Sequence, residues 1–210
     1  DFSSLDTAGG PPDWLVETTG SGGAVAGTEG VRLLGNDSAF GGATLVSRGY
    51  AYSDFTAAAE FTFVDASTSN GSAGESNFDL RIREGSRGYS LTFYSSESSQ
   101  RAGEIWLRRT NNWTENIQGL NVAVPDGIQD GDSFKVRVAA NGSSINYKVF
   151  KNDNPSAVLD WDVSDSGQKV GRVRLGTYNV AEARLDRFAI GGVNWEGTVF
   201  FSGVSNWRLY

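Results

Sequence analysis

Stretch after stretch of this chain places apolar side chains at every second position, a spacing that lines one face of an extended strand and no face of a helix. "DFTAAAEFTFV" sets Phe55, Ala57, Ala59, Phe61 and Phe63 against Thr56, Ala58, Glu60 and Thr62. "NFDLRIREG" sets Phe78, Leu80 and Ile82 against Asp79, Arg81 and Arg83, and "RGYSLTFYS" sets Tyr89, Leu91 and Phe93 against Ser90, Thr92 and Tyr94. The short glycine-containing link between these two predicts a hairpin. "GEIWLRRT" turns Ile105 and Leu107 one way and Glu104, Trp106 and Arg108 the other. In "DSFKVRVAANGSSINYKVFKN" two alternating runs flank Asn141-Gly142, the clearest hairpin signal in the chain. "VGRVRLGTY" and "RLDRFAIGG" add further strands. Many short strands punctuated by Gly, Asn, Asp and Ser predict an all-β sandwich or barrel.

The totals fit one large core. A chain of 210 residues is within reach of a single β domain, and 39% hydrophobic against 20% charged residues gives it an interior to bury. Cysteine is absent, which excludes disulfides, thiolate metal sites and a cysteine nucleophile. Histidine is absent too, removing the usual neutral-pH base and every Ser-His-Asp arrangement. A net charge of −7 argues against nucleic-acid backbone as a partner. No run of about 20 apolar residues predicts membrane insertion. The chain starts with Asp and lacks Met, so it is expected to be a processed product or a fragment. "TTGSGGAVAGTEG" and "STSNGSAGES" read as loops, and no internal repeat of fixed period is visible.

The order of the elements resembles the concanavalin A-like jelly-roll superfamily in its laminin-G-like branch. The opening "DFSSLDTAGGPPDWLVETTGSGGAVAGTEGVRLLG" is similar to the start of that branch, with an Asp-Phe pair, a Trp and a short strand ending in a Leu-rich piece. "GYSLTFYSSESSQRAGEIWLRRT", "GDSFKVRVAANGSSINYKVF", "KVGRVRLGTYN" and "RLDRFAIGG" are similar to its central and closing strands. The resemblance spans residues 1–192 and implies a two-sheet antiparallel jelly-roll β-sandwich. Residues 193–210 are then expected as a C-terminal strand or arm packed on the same domain or a neighbour. It also implies glycan binding on the concave sheet or rim, often without catalysis.

Superfamily glucanases carry carboxylates on one strand as E-x-D-x-E or E-x-D-x-x-E, because a retaining hydrolase needs two carboxyl groups about 5–5.5 Å apart. With Glu104 as the first, the second position is Trp106 and the third Arg108 or Arg109. The pair is missing, so no catalytic residue is assigned. Lyase relatives use a His and a Tyr, and the His is missing here.

The non-core faces of the central strands carry Asp79, Arg81 and Arg83, then Thr92 and Tyr94, then Glu104, Trp106 and Arg108, with Arg172 and Arg174 further on. An aromatic ring stacks on the apolar face of a pyranose while arginines and carboxylates hydrogen-bond its hydroxyls or acid groups. Arg81, Arg83, Tyr94, Glu104, Trp106, Arg108 and, in the "NNWTEN" loop, Trp113 are therefore the candidate carbohydrate-binding residues. Cross-strand Arg-Glu pairing on a solvated sheet is the competing explanation of the same pattern.

No metal is assigned. "DWDVSDSG" has Asp165 where a calcium loop starting at Asp160 needs Gly, and Gly171 where it needs Glu, so it reads as a turn. A structural calcium, as many jelly rolls hold, would draw on Asp1 and Asp186; Asp186 pairing with Arg184 or Arg187 is the alternative. "GSGGAVAG" lacks the helix of a phosphate-binding loop and reads as a loop.

The sequence thus points to a non-catalytic carbohydrate-binding or adhesion module, secreted or displayed on a surface, whose partner is a polysaccharide or glycoconjugate. A structural protein of a virion or surface layer is the alternative, drawing on the aromatic tail with Trp195, Phe200, Phe201, Trp207 and Tyr210 for contacts with other subunits. A polysaccharide-degrading enzyme with an unrecognised site stands third.

Overall fold

The structure of the protein, a computed structural model, describes residues 14–20, 22–27, 29–35, 42–47, 53–68, 76–84, 88–109, 112–164, 167 and 170–191. None of these residues is helical. The strands are β1 (Trp14–Thr19), β2 (Gly23–Gly27), β3 (Gly30–Leu34), β4 (Gly42–Ser47), β5 (Phe55–Thr68), β6 (Asn77–Glu84) and β7 (Tyr89–Tyr94). They continue as β8 (Glu104–Arg109), β9 (Asn112–Ala123), β10 (Ser133–Asn141), β11 (Ser144–Lys151), β12 (Leu159–Ser164), β13 (Arg172–Tyr178) and β14 (Val180–Gly191).

Two antiparallel seven-stranded sheets form a β-sandwich. The first runs β1-β4-β13-β6-β7-β8-β9 and the second β12-β11-β10-β5-β14-β3-β2. Alternation decides what each face does. Phe78, Leu80, Ile82, Leu91, Phe93, Ile105 and Leu107 of the first sheet are buried against Phe61, Phe63, Phe134, Val136, Val138 and Tyr147 of the second. Every second residue therefore points away from the core, as the sequence predicts, and the outward set of β6, β7 and β8 shares one surface.

The hairpin between β10 and β11 pairs Asn141 with Ser144, so its turn is Gly142-Ser143, one residue later than Asn141-Gly142. Gly142 has φ of +55°, the left-handed backbone that a tight hairpin turn requires of its first central residue. Its N–H donates to Asp54 Oδ1 at 2.7 Å.

Three segments read from sequence as loop or turn are strands. β2 lies within the glycine-rich opening and pairs with β3. β12 takes up "DWDVS", where Leu159 and Val163 are buried and Asp160 and Asp162 face out, a period-2 pattern masked by its acidic residues. β9 includes Trp113, expected in a loop. Segments 1–13, 69–75 and 192–210, and with them Asp1 and the aromatic tail, lie outside the described residues.

One predicted surface residue turns inward. β6 runs four residues, Arg81 to Glu84, against three of β13, Arg174 to Arg172, so it carries a bulge. Arg83 occupies that bulge with φ of +50° and its side chain is fully buried. Its Nε and Nη2 donate to Ser53 O at 3.1 and 2.7 Å, and Nη1 donates to Gly142 O at 2.8 Å. Nη2 also lies 3.7 Å from Asp54 Oδ1. Arg83 therefore ties the first sheet to the β10–β11 turn of the second. Arg83→Ala leaves those carbonyls without their donor and is expected to lower stability by about 3 kcal/mol. Urea unfolding checks this, with the exposed Arg137→Ala expected within about 1 kcal/mol of wild type.

Candidate functional site

Register brings the outward residues of the first sheet into rows. One row is Gly176, Asp79, Thr92, Trp106 and Asn121; the next is Arg174, Arg81, Ser90 and Arg108. A third joins Tyr178, Asn77 and Tyr94. Ser90, Thr92 and Tyr94 are completely buried although they face away from the core, and Asp79 and Arg108 are nearly so. The longer side chains of Arg81, Arg101, Trp106 and Arg108 account for part of that cover.

Asp79 is the floor of this group. Its Oδ1 accepts from Thr92 Oγ1 at 2.7 Å and from Ser90 Oγ at 3.0 Å, and its Oδ2 accepts from Arg81 Nη2 at 3.0 Å. Arg108 Nη2 donates to Thr92 Oγ1 at 3.4 Å. Burial alone would raise the Asp79 carboxyl, yet Arg81, Arg108 and the Thr92 hydroxyl together hold it below the usual carboxylate range. It remains a carboxylate, and it fixes two guanidinium groups over the sheet.

Trp106 stands half-buried above that floor. Its Nε1–H donates to Glu104 Oε2 at 2.5 Å, and its ring meets the edge of Tyr94 at 6.5 Å and 81°. The Arg101 guanidinium lies 4.6 Å from the Trp106 ring centroid and 5.4 Å from that of Tyr94, and Arg108 lies 5.4 Å from Tyr94 on its own account. Burial drives the Tyr94 phenol far above its ordinary value, so it stays protonated. Burial, followed by the Arg108 charge, pulls Arg101 down from its ordinary value, with Glu104 opposing.

Of the seven residues singled out from sequence, Arg81, Tyr94, Glu104, Trp106 and Arg108 meet here. Arg83 does not, because the bulge takes it into the core. Trp113 is in β9 beside the site-bearing β8, and its side chain lies outside what the structure describes. Sequence reasoning missed Arg101 and Asn77 as members. Arg101 comes from the link Ser95–Gly103, which has no alternation to read; the Gly103 that closes it, at φ of +70°, was the only local clue.

No protein-family model matches the chain, and no curated protein matches it in sequence. Solved structures share its architecture. The carbohydrate binding module CBM66 from Bacillus subtilis aligns at a TM-score of 0.55 and 18% identity, covering 83% of this chain and 94% of that one. The legume lectin-like domain from Entamoeba histolytica aligns at 0.59 and 10% identity, over 87% and 91%. The exoplasmic/lumenal domain of VIP36, in its Ca2+/Man2-bound form, aligns at 0.62 and 12%, over 94% and 87%. This chain has a lectin-like β-sandwich fold.

The calcium of that last structure finds no ready counterpart among the described residues. Asp186, the sequence candidate, accepts from Arg184 Nε on Oδ1 and from Thr62 Oγ1 at 2.7 Å on Oδ2. No described group of three or more acidic side chains is arranged to hold a metal ion. Asp186 is thus engaged by a guanidinium and a hydroxyl, the pairing the sequence offered as the alternative to calcium.

The Asp79 network has a pH signature. Its folded value lies below the roughly 3.9 of an unfolded Asp, so its contribution is complete above that value and is lost as pH falls below it. Asp79→Asn is expected to destabilise the fold by about 3 kcal/mol at neutral pH, since it removes a buried carboxylate charge that Arg81 and Arg108 share. Urea unfolding at pH 7 and pH 3 should show the gap between variant and wild type narrowing at the lower pH.

Proposed function

We propose that this protein is a non-catalytic carbohydrate-binding module that holds a polysaccharide or glycoconjugate on the outer face of its first sheet, through Trp106, Glu104, Arg81, Arg108 and Tyr94, with Trp113 extending the surface along β9. The observation that carries this reading is Trp106. An indole oriented by Glu104, with the Arg101 guanidinium against its ring and Arg108 against the neighbouring Tyr94, supplies both a stacking platform and hydrogen-bond donors, the combination a sugar ring calls for. The outer face of the second sheet carries the phenyl ring of Phe150, with Arg137 5.6 Å and Lys148 5.9 Å from its centroid, but among the described residues no indole with an N–H to donate, and exposed ion pairs such as Lys135–Asp153 and Lys148–Asp160 surround it.

The fold neighbours support the reading by what they are, a carbohydrate binding module, a legume lectin-like domain and the VIP36 domain in its Ca2+/Man2-bound form. The order of the strand segments in the sequence supports a laminin-G-like branch within the lectin-like folds. The lumenal and exoplasmic character of VIP36 supports an extracellular or surface-displayed location. A binding role rather than hydrolysis is supported by the carboxylates. Glu104 and Asp79 sit two strands apart, about 10 Å between strand axes, against the about 5–5.5 Å of a retaining pair. Asp79 is moreover fully engaged by its neighbours.

Trp106→Ala is expected to weaken binding to the recognised polysaccharide at least tenfold, about 1.4 kcal/mol or more, with the melting temperature little changed. A glycan array followed by affinity electrophoresis with wild type and variant tests this. Absence of binding by wild type to every glycan, or equal binding by both proteins, overturns it.

A further inference from the structure

The proposed site carries more positive charge than the rest of the chain leads one to expect. Four guanidinium groups, Arg81, Arg101, Arg108 and Arg174, face three carboxylates, Asp79, Glu104 and Glu17, in a protein whose net charge is −7. Asp79 takes Arg81 and feels the Arg108 charge as well, Glu104 takes the Trp106 N–H and attracts Arg101, and Glu17 takes Arg174. Arg101 and Arg108 are the two cations brought against a single ring, Tyr94, from different elements. Like charges held together in a partly dry place favour an anion between them.

Two neutral groups point the same way. Tyr94 and Asn77 are direct cross-strand partners on this face, and both are buried. Among the described residues, neither the Tyr94 hydroxyl nor Asn77 Oδ1 has a hydrogen-bond partner. Buried polar atoms are normally satisfied, so this pair marks a place where an outside group completes the bonding. A guest there would meet a phenol that donates or accepts and an amide oxygen that accepts only.

We propose that the face selects sugar acids, with Arg101 and Arg108 clamping the carboxylate of a hexuronate residue while Trp106 stacks on its ring. This rests on the glycan-binding reading above and names the class of glycan. A hexuronate has the three features the site asks for: an anion for the two guanidinium forks, hydroxyls for Tyr94 and Asn77, and an apolar C–H face for the indole. A neutral hexose lacks the first, and an isolated phosphate lacks the last.

Arg101 is the specificity-determining residue of this arrangement. Its guanidinium lies 4.6 Å from the Trp106 ring centroid, over the face where the sugar would stack. It belongs to the connection between β7 and β8, with φ of +61°. On binding it gives up the cation–π contact and turns its fork to the carboxylate, a stronger, charge-assisted pair.

The test uses the full chain with polygalacturonate and with the same polymer fully methyl-esterified, which keeps the backbone and removes the charge. Wild type is expected to bind polygalacturonate at least about tenfold more tightly than the ester at about 0.15 M salt. R101Q is expected to lose about tenfold toward polygalacturonate, and R101K, which keeps the charge without the fork, to fall between. K135Q, on the opposite face, is the control and should match wild type. Equal affinity for acid and ester overturns the proposal, as does an R101Q that binds like wild type. An equal loss in K135Q overturns it too, since attraction would then be general to the chain's cations. Binding to dextran sulfate without binding to polygalacturonate overturns the carboxylate assignment alone. Binding to neutral glycans only removes this inference and leaves the glycan-binding reading standing; no binding to any glycan removes both.

Discussion

The stack of Phe61 on Phe78, ring centroids 3.8 Å apart and planes 14° from parallel, joins the two sheets through the strand at the centre of each, β5 and β6. Phe93 meets Phe61 edge-on at 5.0 Å, and Phe134 closes the group at 5.2 Å from Phe93. Four large rings interlocked in this way leave no freedom of register. A slip of one residue in β6 would carry Phe78, Leu80 and Ile82 out to the far side of the sheet and bring Asp79 and Arg81 into the core. The aromatic core thus determines the outer face as firmly as it determines the interior.

What that outer face then does with its polar residues differs between the sheets. On the second sheet charged groups pair singly across neighbouring strands in the open, as Arg32 does with Glu182 and Lys148 with Asp160, and such pairs contribute little. On the first sheet Asp79 is buried and shared by a hydroxyl pair and the field of two arginines. Burying a charge is unfavourable unless every acceptor is used, and here both carboxylate oxygens are. The gain is positional: guanidinium groups that would sweep freely over an exposed sheet are held over one point.

Much of this was legible in the sequence because alternation is a strong signal wherever one face is dry. Phe61, Phe78 and Ile105 were assignable to the core, and Trp106 to the opposite face, from spacing alone. Arg83 was not, since a bulge shifts the period locally and nothing in "RIREG" announces it; its buried hydrogen bonds go to carbonyls that are 30 and 59 residues away in sequence. β12 was hidden by a high acidic content that resembles a turn. Arg101 was invisible for a different reason: a residue that reaches a site from an irregular link is placed by the fold of that link, here closed by the Glu104 N–H donating to Arg101 O at 3.0 Å.

The indole of Trp106 combines the two levels. Ile105 and Leu107 on either side of it are fully buried, so the backbone of β8 is fixed by the core. Glu104, two residues back on the same face, takes the indole N–H, and Tyr94 abuts the ring from β7, so rotation of the side chain is restrained as well. A platform fixed before its guest arrives loses little conformational freedom on binding, which is where weak sugar contacts are most easily cancelled. The cover provided by Arg101 adds a second consequence. It covers an apolar ring that would otherwise face water, and on the proposed reading it stands beside any acid group of a sugar that stacks there. The same residue then serves the free and the bound state, and a site so arranged discriminates by charge at the step where stacking begins.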